Sequence, residues 1–180
     1  MNPASHLVLV GPMGAGKTSI GRRLADRLGL PFTDADHAIE ARAGAAVSAI
    51  FDVEGEAGFR VRERALLAEL LAGPPGVLAT GGGVVVSAEN RALLRDGAFV
   101  VHLQVGTDAQ LHRLARDRTR PLLQTPDRAA VLQRLAEERA PLYADVADCT
   151  FATDGMTPDE AAVALARFLH DRWQRTEVAA

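Results

Sequence analysis

The sequence predicts an α/β domain of three layers, with a parallel sheet covered by helices on both faces. Three observations carry that reading. Short apolar runs alternate along the chain with segments whose apolar residues recur at helical spacing. Two of the runs, His6–Val10 and Val77–Thr80, stop at glycines, Gly11 and Gly81. Strands separated by helices imply right-handed crossovers, and hence a parallel sheet. At 180 residues the chain can bury one core, and it reads as a single domain over 1–180.

The elements follow in order. His6–Val10 is a short buried strand. Ile20, Leu24, Ala25 and Leu28 fall at helical spacing in the segment Lys17–Leu28, which Gly29 closes. Pro31–Thr33 is a brief strand, followed by helices over Asp36–Ala43, Val47–Phe51 and Glu56–Leu71, the last stopped by Gly73-Pro74-Pro75. After the strand Val77–Thr80 come a helix over Ala88–Arg95, a strand over Phe99–Leu103 and a helix over Asp108–Ala115. The segment 116–127 departs from the pattern: Arg116, Arg118, Arg120, Pro121 and Pro126 mark it as a polar loop. Leu132–Ala140 is helical and is expected to end at Pro141. Cys149–Ala152 is the final strand and Pro158–Trp173 the final helix, with Pro158 suited to a first turn.

Composition narrows the class of function. Apolar residues make up 48% and charged residues 24%, which is a globular balance rather than a disordered one. A net charge of −3 argues against broad binding to nucleic acid or acidic membranes. The uncharged run Val77–Ala88 is too short for a membrane span and contains three glycines. Residues 1–6 lack the basic start and apolar block of a secretory signal. Cys149 is the only cysteine and forms no internal disulfide, so a cytoplasmic protein is expected. His6, His37, His102, His112 and His170 show no metal-ligand spacing. Cys149 is expected to be a small buried side chain.

Gly11-Pro12-Met13-Gly14-Ala15-Gly16-Lys17-Thr18 matches G-x-x-x-x-G-K-[ST] without a mismatch, between a strand and a helix. The glycines let backbone N–H groups turn inward on an anion, and the helix adds its positive end. Met13, Gly14, Ala15 and Gly16 are therefore expected to cradle the phosphates of a nucleoside triphosphate. Lys17 would reach the terminal phosphates, and the Thr18 hydroxyl would occupy one position on Mg²⁺. Lys17 is the only lysine among twenty basic residues, placed where a broad guanidinium would substitute worst.

The phosphate's destination is read from other features. An N-K-x-D guanine motif is impossible, because the one lysine is already used. A compact chain with an Arg-rich segment late in the sequence suggests a small-molecule kinase whose mobile lid, about 116–127, excludes water. Asp34 and Asp36 stand at the end of a strand, on the edge where α/β ligands bind; extended backbone would point both the same way. Arg60 and Glu63 share a helix face. Gly81-Gly82-Gly83 offers bare backbone N–H groups, and Arg139-Ala140-Pro141-Leu142-Tyr143 follows the Arg-rich segment. Singly, these are a helix cap, a surface pair, a tight bend and a helix end. Their order is the stronger signal.

That ordered set resembles the shikimate kinase family over nearly the whole chain. The pieces are GPMGAGKT, the D-A-D acids, FDVEGEAGFR, TGGG, the R-P-L-L at 120–123 and R-A-P-L-Y. The resemblance implies the P-loop kinase sheet order 2-3-1-4-5, a monomer, and transfer of the ATP γ-phosphoryl group to the 3-hydroxyl of shikimate. It implies an acceptor region over about 34–63. Arg60 and Arg139 would clamp the carboxylate and Gly82 would add a backbone N–H. Asp36 would orient the hydroxyl, with or without taking its proton. The resemblance also implies Asp34 facing Mg²⁺ through water, Arg120 closing on the phosphates, Glu63 bracing Arg60 and Arg113 beside the adenine, while Met156, where relatives vary, is expected to offer ATP a backbone contact at most. The sequence departs from many relatives at Lys17-Thr18-Ser19, where they read Lys-Ser-Thr, and matches only loosely over 153–157. Two rivals remain: a gluconate- or nucleotide-type kinase of the same fold, and a nucleotide-binding sensor without turnover.

Overall fold

The computed structural model describes residues 4–115 and 125–173. The elements run β1 (His6–Val10), α1 (Lys17–Leu28), β2 (Phe32–Asp34), α2 (Ala35–Ala43), α3 (Val47–Ala72) and β3 (Val77–Ala79). A 3₁₀ turn (Val84–Val86), α4 (Ala88–Gly97), β4 (Ala98–Gln104), α5 (Thr107–Leu114), α6 (Arg128–Val146), β5 (Cys149–Ala152) and α7 (Pro158–Leu169) complete them. The five strands are parallel in the order β2-β3-β1-β4-β5, as expected. In the central register Val8 lies between Leu78 and Val100.

Strand alternation divides the core in two. Leu7 and Leu9 of β1, with Val101 and Leu103 of β4, face Ile20 and Leu24 of α1 and Leu165 and Leu169 of α7. Val8, Val10 and Val100 face the other way, against Leu67, Leu94, Tyr143 and Val146 of α3, α4 and α6. β1 is buried along its full length, as a central parallel strand covered on both faces should be. Both cores place the C-terminal ends of β1, β2 and β3 along one edge of the sheet, where their loops build the site.

Three departures from the expected elements have physical causes. The helices expected over 47–51 and 56–71 run on as α3, bent at Gly55, whose φ of 70° and ψ of −178° break the helical path. α6 does not stop at Pro141 but continues through it to Val146. Pro141 is exposed, and the turn beyond it buries Tyr143 and Val146 against the sheet, which outweighs one lost backbone hydrogen bond. α7 ends at Leu169, and Trp173 is held separately by its indole N–H donating to the Ala4 carbonyl at 2.7 Å. Cys149 is half-buried, and burial pushes its thiol up to about 11. Among the described residues no helix is long and apolar enough to cross a membrane.

Candidate active site

The loop after β1 takes its shape from its own residues. Gly16 sits at φ 90°, in the left-handed region that favours glycine, and turns the chain into α1. The Lys17 ammonium is largely buried and donates to the carbonyls of Gly11 at 2.7 Å and Pro12 at 2.8 Å. The first turn of α1 carries no acidic residue, so its positive end is uncompensated from within the helix. Two long-range bonds brace the loop from α5. The Gln110 amide donates to the Met13 carbonyl at 2.8 Å, and Arg113 donates to the Gly14 carbonyl at 2.9 Å.

Thr18, on the first turn of α1, donates its hydroxyl to an Asp34 carboxylate oxygen at 2.5 Å. The other Asp34 oxygen accepts from the backbone N–H of His37 and caps α2. Asp36 therefore lies in the first turn of a helix, not in extended backbone. The expectation that strand alternation aligns the two acids is corrected: the cap brings them to one cleft, and both line it. Two hard oxygen donors this close suit a small divalent cation that keeps phosphate and water as its other ligands. Among the described residues there is no group of three His, Cys, Asp or Glu side chains able to hold a metal.

The cleft has a volume of about 460 Å³. Its walls include Lys17, Thr18, Asp34, Asp36, Gly82 and Arg113. Met156 also lines it, from the loop after β5. Arg113 spans two loops, donating to Thr153 through its hydroxyl at 3.1 Å and its carbonyl at 2.7 Å. Arg120 lies outside the described residues, as does 116–124 of the expected lid.

Arg60 and Arg139 are not on the cleft walls but meet its edge at the glycine turn after β3. A Cβ on Gly83 would stand 2.3 Å from Arg60 Nη2, one on Gly82 3.6 Å from Arg139 Nη1, and one on Gly81 2.9 Å from Asp36 Oδ1. Three side chains from α3, α6 and α2 thus converge on one turn. The Gly55 bend starts a new helical segment just before Arg60, which is half-buried.

A polar cluster supports Arg60. Its Nη1 donates to Glu63 at 2.8 Å, while Nε and Nη2 reach the exposed Glu56 at 3.3 and 3.0 Å. Glu63 is buried, and burial pushes its pKa up, with Arg60 pulling it back and the Asp36 charge adding to the rise. Burial alone would lower Arg60, but Glu63 and Glu56 outweigh it and hold the guanidinium above its ordinary value. Asn90 of α4, fully buried, donates to both Glu63 and the Val84 carbonyl at 3.2 Å. Sequence reasoning missed Asn90, Gln110 and the structural part of Tyr143. Nothing in their local spacing sets them apart from other helical polar residues.

The chain is similar to known proteins over nearly its whole length. The family described as shikimate kinase matches residues 13–170. A shikimate kinase of Stenotrophomonas maltophilia strain K279a is 53% identical over 178 residues, covering 99% of each chain. A shikimate kinase of Xanthomonas campestris pv. campestris strain 8004 is 51% identical over the full length of both chains. A solved shikimate kinase from Acinetobacter baumannii, in complex with shikimate, superposes with a TM-score of 0.90 at 43% identity, covering 93% of this chain and 94% of that one.

Proposed function

The chain belongs to the shikimate kinase family, and from that premise we propose how its residues divide the work between donor and acceptor. The protein is an ATP-dependent kinase that transfers the γ-phosphoryl group to the 3-hydroxyl of shikimate. The reaction needs a cradle for the triphosphate, a clamp for a carboxylate and an acceptor for a hydroxyl proton. The observation that carries the residue assignment is the meeting of Arg60, Arg139 and Asp36 at Gly81–Gly83, on the edge of the cleft that holds Lys17.

On this reading the backbone of Met13–Gly16 and the positive end of α1 bind the ATP phosphates. Lys17 exchanges its carbonyl partners for the terminal phosphates and neutralises charge as it develops. The family needs a divalent metal, and the hydroxyl and carboxylate of Thr18 and Asp34 are the residues that would hold Mg²⁺, Asp34 through water. Bound there, the cation would neutralise the phosphate oxygens. Arg113 and Met156 flank the nucleotide's far end, and Arg120 closes on the phosphates from the segment 116–127. Arg60 and Arg139 pair with the shikimate carboxylate, Gly82 adds a backbone N–H, and Asp36 accepts from the reacting hydroxyl. Glu63 holds Arg60 in its orientation. The domain acts as a cytoplasmic monomer with no nucleic-acid partner.

Arg60→Ala tests the acceptor assignment. It removes one guanidinium from the carboxylate clamp and should weaken shikimate binding by about 2–5 kcal/mol while leaving ATP binding near its original strength. Steady-state titration of each substrate in a coupled ADP-release assay reads both. Unchanged shikimate affinity would remove Arg60 from the site.

A further inference from the structure

Tyr143 is the only tyrosine in the chain, and the functional assignment above gives it no part. Its hydroxyl donates to the Gly82 carbonyl at 2.6 Å across sixty-one residues of sequence. In the glycine turn the Gly81 carbonyl accepts from Val84 N–H at 3.2 Å and the Gly83 carbonyl from Val86 N–H at 3.0 Å. The middle carbonyl, Gly82, is the one held from outside the turn. Three consecutive glycines have little stiffness of their own, so the middle peptide takes its orientation from that bond. The Gly82 N–H lies in the preceding planar peptide, whose Gly81 carbonyl is held by Val84, so with Tyr143 on the Gly82 carbonyl both peptides that flank Gly82 are anchored.

The same phenol lies close to a second group. Arg139 precedes Tyr143 by one turn on α6, so the two share a helix face. Pro141 lies between them and removes one backbone hydrogen bond from that turn. An anchor at Tyr143 therefore holds a stretch of helix that is weakened from within. Arg139 Nη1 lies 3.6 Å from where a Cβ on Gly82 would stand, so the guanidinium and the phenol meet at the same glycine; burial pushes the phenol up to about 12, with the Arg139 charge acting in the opposite direction. On its other side the ring stacks on His102 of β4, with centroids 4.6 Å apart and an angle of 22°. His102 pairs with Val10, the last residue of β1 before the phosphate loop. The ring is thus a strut between the sheet and the glycine turn.

We propose that Tyr143 is a positioning residue for the acceptor site, completing the hold on the Gly82 backbone and setting the Arg139 guanidinium, the two groups that receive the shikimate carboxylate. The inference rests on the reading that Arg139 and Gly82 bind that carboxylate. Tyr143→Phe keeps the ring and its stack and removes the hydroxyl alone. The shikimate KM should rise about five- to tenfold, as expected for one lost buried hydrogen bond. The ATP KM and kcat should stay within about twofold, a split that general loosening of the fold would not produce. A shikimate KM within twofold of the parent overturns the proposal, and so does a parallel rise in both KM values.

Biosynthetic replacement with 3-fluorotyrosine labels this one position and covers the case in which the phenylalanine variant fails to fold. Its ¹⁹F resonance should shift saturably with added shikimate, and a resonance that saturating shikimate leaves in place overturns the proposal. Arg139→Ala, measured in parallel, separates the two levels. If it leaves the shikimate KM unchanged, the carboxylate reading falls. If it raises that KM while Tyr143→Phe does not, only the role of Tyr143 falls.

Discussion

The loop Gly11–Thr18 and the turn Gly81–Gly83 are both glycine-rich and follow neighbouring strands, β1 and β3. Their construction differs. Within the first, Lys17 ties back to Gly11 and Pro12 and Ala15 N–H donates to the Pro12 carbonyl at 3.3 Å, and its outside braces, Gln110 and Arg113, both come from one helix, α5. The second has its middle carbonyl fixed by Tyr143 of α6 and its faces set by Arg139 of the same helix and by Arg60 and Asp36 from two others. A phosphate is bound mainly by backbone N–H groups, which one stretch of chain can supply. A hydroxylated carboxylate needs charged side chains at several angles, which only separate elements can bring.

If the two ends are built independently, damage to one should spare the other. Lys17→Ala should have the largest effect, lowering kcat by about 10²–10³-fold or more, since on the proposed reading it removes charge stabilisation that peaks during transfer. Shikimate affinity, measured by equilibrium titration, should change by less than about twofold. An equal loss at the acceptor end would break the contrast.

Gly83→Ala should come next. The new Cβ would fall 2.3 Å from Arg60 Nη2 and 2.9 Å from Nη1, so the guanidinium must leave its place. The shikimate KM should rise by about ten- to a hundredfold, in line with the cost of small misplacements in a site, with the ATP KM little altered. A normal shikimate KM would show that Arg60 has no need of its present position.

The smallest effect concerns the strut beneath both ends. Burial, with a lesser contribution from the Lys17 charge, holds His102 down at about 4 against an ordinary 6.5. Between those values the unfolded chain binds more protons than the folded one, so stability is lost as pH falls from about 6.5 towards 4. His102→Phe keeps a ring against Tyr143 and removes that titration. Thermal unfolding at about pH 7 and about pH 5 should show a narrower gap between the two midpoints than in the parent chain. An unchanged gap would place the acid sensitivity elsewhere.

Legibility in the sequence followed the same division. The five strands, their flanking helices and the phosphate loop are all readable, because each depends on residues close in the chain: apolar alternation, helical spacing and glycine punctuation. Asp34 and Asp36 were legible as a pair, but not the means of aligning them, because a helix cap and a strand end look alike at that spacing. The end of α6 was misplaced for a related reason. Pro141 is a local stop signal, and the burial of Tyr143 and Val146 that overrides it is a property of the packed core. Asn90 and Gln110 carry no local mark, since each matters through a partner far along the chain, Glu63 and the Met13 carbonyl.

Residue order alone was enough to determine the α/β architecture and the glycine-rich loop that precedes α1, because short-range spacing and backbone geometry suffice for both. Folding supplied the rest, drawing Arg60, Arg139 and Asp36 to one glycine turn and setting Tyr143 against Gly82. Those contacts link residues tens of positions apart, so they exist only once the sheet and its helices have packed.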